Sequence, residues 1–145
     1  MGLDMYLNAK RHLWYNEDEL ANKISENFPS LTGKRVKEVV IEAAYWRKAN
    51  SIHKWFVDNV QDGTDDCGHY EVSKEDLQAL LDLIEEVLAN RKTAKDKLPT
   101  ASGFFFGQTD YDEWYFSDLE STRDMLKDCL DDKWNGWYFE YHSSW

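Results

Sequence analysis

Both ends of the chain alternate apolar and polar residues with a period of two. Leu3, Met5, Leu7 and Ala9 interleave with Asp4, Tyr6, Asn8 and Lys10, and Trp137, Phe139 and Tyr141 interleave with Tyr138, Glu140 and His142. Successive side chains of a strand point to opposite faces, so each end reads as a strand buried on one face only. Two such strands require a sheet with one covered face, and the residues between them must supply the cover.

Those residues hold helical patterns. Asn16 is placed to cap a helix carrying Leu20, Ile24 and Phe28 on one face. Arg35 to Trp46 is rich in β-branched residues and predicts a strand, with Val39, Ile41, Ala43 and Tyr45 on one face and Val40, Glu42, Ala44 and Trp46 on the other. Ile52, Trp55, Phe56 and Val60 predict a helix over 48–60, and the glycines and aspartates of 61–70 predict a loop. Ser73 caps the clearest helix, whose stripe is Leu77, Leu80, Leu81, Ile84, Val87 and Leu88. A last helix, opened by a Ser117–Glu120 capping box, carries Leu119, Thr122, Leu126, Cys129 and Leu130 and runs to about Lys133. The expectation is an α+β fold in one domain over residues 1–145, with a small antiparallel sheet of about three strands packed against several helices.

Charge narrows the function. The chain has 28 acidic and 17 basic residues, a net charge of −11. A surface this negative repels phosphate backbones, so direct nucleic-acid binding is disfavoured; the charge suits a basic host protein as partner, and the competing reading is that it serves solubility alone. Cys67 and Cys129 are too few for a disulfide framework and read as free thiols in a reducing compartment. No stretch of about 18 apolar residues or leader pattern is present, so a cytoplasmic chain without membrane contact is expected.

Three segments are candidate sites. The stretch 97–112, KLPTASGFFFGQTDYD, is long for a connection between helices, and long connections often carry function. Phe105 and Phe106 offer aromatic walls, with Gln108, Asp110 and Tyr111 as polar contacts; a short buried strand is the competing reading. In 45–56, Arg47 and Lys48 supply charge beside a helix N-terminus, a setting that holds anions, and Trp46, Asn50 and His53 are spaced to line one groove. The competing reading is a buried tryptophan with a partly solvated His and Asn. The third segment, 65–71, holds Asp65, Asp66, Cys67 and His69, but without zinc or calcium spacing, so neither a metal nor a cofactor is expected. Cys67 with His53 or His69, and Asp110, Asp112 or Glu113, are the candidates for catalysis, none in a diagnostic pattern.

The strings MGLDMYL, YWRKANSIHKWFV, DDCGHYEVS and LPTASGFFFGQTDYDEWY together resemble a family of small uncharacterised proteins of bacteriophage and prophage genomes. The resemblance implies a phage-type protein made in a bacterial host cell, with an anti-defence role as the expectation. The first expectation is a non-catalytic binding protein taking a small, flat, anionic, nucleotide-like ligand at Trp46, Arg47, Lys48, Asn50, His53, Phe105, Phe106, Gln108, Asp110 and Tyr111. The alternatives are an acidic nucleic-acid mimic acting through Asp118, Asp124, Asp128, Asp131 and Asp132, and a small hydrolase or transferase using His53, Asp110 or Cys67. A second copy of the chain is a further candidate partner.

Overall fold

In the computed structural model, which describes residues 2–14 and 18–145, the two alternating ends become the central strands of a four-stranded antiparallel sheet. β1 (Asp4–His12) pairs with β2 (Glu38–Arg47) on one side and β4 (Tyr138–Ser144) on the other. β3 (His69–Val72) pairs with the outer edge of β4, giving the order β2-β1-β4-β3. The fold is α+β as the patterning requires, with one strand more than the sequence predicts. β3 falls partly in the expected 61–70 loop; four residues between Gly68 and Ser73 are too short to show a period.

One face of the sheet is covered. Leu3, Met5, Leu7, Ala9, Phe139 and Tyr141 are almost solvent-free and meet Ile52 and Phe56 of α2 (Asn50–Asn59), Leu77, Leu80 and Ile84 of α3 (Lys74–Ala89), and Leu119 and Leu126 of α5 (Glu113–Cys129). Full burial of each leucine, isoleucine, methionine or phenylalanine among them contributes roughly 1.5–3 kcal/mol. The Ser73 cap of α3 is present as a capping box with Asp76. The remaining helices are α1 (Glu19–Glu26), which buries no residue, and α4 (Ala94–Lys97), a single turn. No helix among the described residues is long and apolar enough to cross a membrane.

Three local expectations need correction. In β2 the register shifts opposite Leu7–Asn8, leaving Ala43 as an extra residue: Leu7 faces Ala44 while Asn8 faces Glu42. A bulge exchanges the faces beyond it. Trp46 and Ala44 therefore share the core face with Ile41, while Tyr45 turns outward with Glu42. The last helix starts at Glu113 rather than near Ser117: Asp112 is its N-cap, accepting from the Tyr115 N–H at 3.1 Å, and Ser117 sits one turn inside. The helix also ends at Cys129, short of Lys133. Asn16, expected as a cap, lies outside the described residues; Asp18 caps α1 by accepting from the Leu20 N–H.

Candidate functional site

The long connection 98–112 carries no regular helix or strand, yet it is tied down along its length. Asn50, the first residue of α2, is 4 % exposed and spends its whole amide on it. Its Nδ2 donates to the carbonyls of Phe106 (2.9 Å) and Gln108 (2.8 Å), and its Oδ1 accepts from the Ala101 N–H (3.0 Å). Leu3 donates to the Phe105 carbonyl, the Tyr111 hydroxyl accepts from the Thr100 N–H, and the Tyr115 hydroxyl donates to the Leu98 carbonyl. Gly103 and Gly107 permit this course. A Cβ at Gly103 would lie 2.6 Å from the Phe106 ring, and Gly107 combines a φ of +84° with an approach to the Lys48 side chain. Lys48 itself has a φ of 58°, unusual for a side-chain-bearing residue, and costs about 1 kcal/mol or more. It turns the chain sharply from β2 into α2.

The connection and the β2–α2 junction enclose a cleft of about 390 Å³, within the range of small-molecule sites. The junction contributes Arg47, Lys48, Asn50 and Ser51. The connection contributes Thr100, Gly107, Gln108, Asp110 and Asp112, and α5 adds Trp114, Tyr115 and Asp118. Arg47 and Lys48 are exposed and, among the described residues, form no ion pair. Trp114 is 79 % exposed. Burial, reinforced by the Asp112 charge, pushes the Asp118 carboxyl up from 3.8 to about 6. Cations, carboxylates and a solvent-facing indole thus border one cavity.

Of the ten residues expected at the site, Arg47, Lys48, Asn50, Gln108 and Asp110 line this cleft. The other five lie outside its lining. Trp46 is 4 % exposed and points into the core, donating from Nε1 to Thr122 Oγ1 at 2.8 Å, which ties β2 to α5. His53 is solvent-free between two partners, Tyr141 O–H at 2.6 Å from Nδ1 and Asp65 Oδ2 at 3.0 Å from Nε2. A proton on Nε2 lets the ring donate to Asp65 and accept from Tyr141, which satisfies all three groups. Phe106 closes edge-on over His53 with centroids 5.2 Å apart; Phe105 and Tyr111 are half-buried, and Phe104, 95 % exposed, meets the Phe105 ring edge-on. Asp112, Trp114 and Asp118 are not among those ten: Asp112 is expected only as a candidate for catalysis, Asp118 only as part of the acidic-mimic surface, and Trp114 in no role. Their signal lies in Asp112 as an N-cap: with α5 starting there, Trp114 and Asp118 stand one turn apart on the same face.

Among the described residues no group of three or more His, Cys, Asp or Glu is placed to hold a metal ion. Asp65 accepts from Trp145 Nε1 as well as His53, Asp66 accepts from the Gly68 N–H and the Tyr70 hydroxyl, and His69 pairs with Glu140. Glu113 pairs with Arg91. On the acidic stretch of α5, Asp124 pairs with Arg123 and Asp128 with Lys133, so local cations offset part of that ridge.

Comparisons with protein-family models, curated proteins and solved structures return no match. Function is therefore read from the chemistry of the chain itself.

Proposed function

We propose that this chain is a non-catalytic binding protein whose cleft takes a small nucleotide-like ligand. One observation carries the reading: Arg47 and Lys48, two cations without an ion pair among the described residues, share a small-molecule-sized cleft with the open indole of Trp114 and the carboxyl of Asp118, likewise without an ion pair among them. An anionic group fits Arg47 and Lys48. A flat ring fits Trp114, which takes the stacking role expected of Trp46. Asp110 and Asp118 suit the N–H edge of a base, since a carboxylate accepts from exocyclic amines and ring N–H groups. The same carboxylates disfavour a ligand that is anionic throughout, such as a polyphosphate. The setting suggested by the phage-type strings is an anti-defence factor that sequesters a nucleotide signal in a bacterial host.

Native mass spectrometry of chain purified from bacteria, followed by calorimetric titration with the four ribonucleoside monophosphates, tests this. Binding of at least one of them is expected, weakened ~10-fold or more by Arg47→Ala, the scale of one lost charge-assisted contact. Affinity is expected to rise as the pH passes upward through about 6, because the ionised Asp118 carboxylate is a stronger acceptor than the neutral acid and offers both oxygens. Failure of all four to bind, or binding indifferent to Arg47→Ala, would sink the reading.

A further inference from the structure

The sheet has a second face, and no helix among the described residues covers it. Pairing across the strands places Tyr45, Tyr6, His142 and His69 in a single row on that face. Their rings form a continuous series: Tyr45 to Tyr6 at 5.4 Å, Tyr6 to His142 at 6.0 Å, and His142 to His69 at 4.0 Å, the last two pairs stacked. Two residues further along β1, β4 and β3, and three along β2 because of the bulge at Ala43, the next row reads Glu42, Asn8, Glu140 and Glu71. An aromatic row and an acidic row therefore run side by side across all four strands, about 7 Å apart. Glu140 is held by Lys10 at 2.8 Å and by His69 at 2.7 Å. Glu42 and Glu71, at the two ends of the acidic row, are exposed and unpaired among the described residues.

We propose that this open face docks an extended, arginine-rich segment of a basic protein, independently of the cleft. Charge complementarity selects the occupant. Guanidinium groups are planar, stack on aromatic faces and engage carboxylates through two parallel N–H donors, so arginine uses both rows at once; lysine, a compact and strongly hydrated charge, uses only the acidic one. Phosphate backbones are repelled by the carboxylate row, which stands against a nucleic acid on the same aromatic platform. A second copy of this face would bring two acidic rows together. Tyrosines surrounded by polar groups are also the composition of energetic centres in protein interfaces.

The test uses the full chain and a synthetic peptide of roughly eight residues with arginine at alternate positions, long enough to cross four strands set about 4.8 Å apart. Calorimetry is expected to give one-to-one binding that weakens with salt. A lysine-for-arginine peptide is expected to bind ~10-fold more weakly, since it forfeits the stacked and bidentate contacts. Glu42→Gln combined with Glu71→Gln, both exposed and so compatible with folding, is expected to weaken the arginine peptide by ~10-fold or more, while Asp124→Asn with Asp128→Asn on α5 changes it less than about twofold. Tyr45→Phe, which keeps the ring, is expected to retain binding that Tyr45→Ala loses. No binding, equal affinity for the two peptides, or equal losses in the sheet and α5 variants would overturn the proposal. So would tighter binding of a single-stranded oligonucleotide, or self-association that the Glu42→Gln/Glu71→Gln variant abolishes.

Discussion

At the scale of single residues, Asn50 and Asp118 have opposite characters. Asn50 is a buried polar group with every contact satisfied, and all of them reach the connection that forms the cleft wall. Asn50→Ala leaves two carbonyls and an N–H without partners, so a loss of ~2–4 kcal/mol in chemical denaturation is expected. Asp118 is half-buried, and among the described residues its carboxyl makes no hydrogen bond or ion pair. Because its folded carboxyl titrates near 6 rather than 3.8, the native state holds that proton more tightly than the unfolded chain does. Stability from this group is complete below pH 3.8 and falls as the pH rises toward about 6. Asp118→Asn should therefore gain on the parent chain across that window and hold a lead above it on the order of 1 kcal/mol, reduced from the full linkage value because the group is partly solvated. Melting curves at a series of pH values read this out; a constant difference across the range would remove Asp118 as the cause.

At the scale of elements, the sequence is legible wherever a long period meets an unambiguous cap. β1 and β4 follow from alternation, and α3 from the Ser73 cap and its leucine stripe. β3 has too few residues for a period. The bulge at Ala43 leaves no local mark, yet it decides that Trp46 enters the core and Tyr45 faces solvent, so the groove expected at Trp46 and His53 becomes two core residues. Half of the candidate site, Arg47, Lys48, Asn50, Gln108 and Asp110, was still readable, because charge next to a strand–helix junction and polar residues on an overlong connection depend on chain order alone. The α5 boundary failed because Asp112 and Ser117 both resemble caps, and only packing decides between them. The two separate by experiment. Asp112→Ala should cost ~1 kcal/mol through its lost bond to the Tyr115 N–H, whereas Ser117→Ala, exposed within the helix, should stay within about 0.5 kcal/mol of the parent. Equal losses at the two positions would put the helix start back in question.

At the scale of the whole molecule, the sheet divides the chain's surfaces between two chemistries. Its helix-covered side supports the cleft at the end of β2, and its bare side carries the aromatic and acidic rows. The strand order β2-β1-β4-β3 also seats β1, residues 4–12, directly against β4, residues 138–144. The central pairing of the sheet thus joins segments at opposite ends of the sequence, and such pairings are slow to form because the intervening chain must be gathered first. During synthesis β1 and β2 leave the ribosome early, but one edge of β1 stays bare until β4 emerges. Stalled nascent chains of increasing length should remain sensitive to protease until residues 138–144 clear the exit tunnel, then become resistant in a single step. A chain that acquired resistance before β4 was free would mean that the helices and the first hairpin hold together unaided. Translation, on this topology, sets the clock for folding.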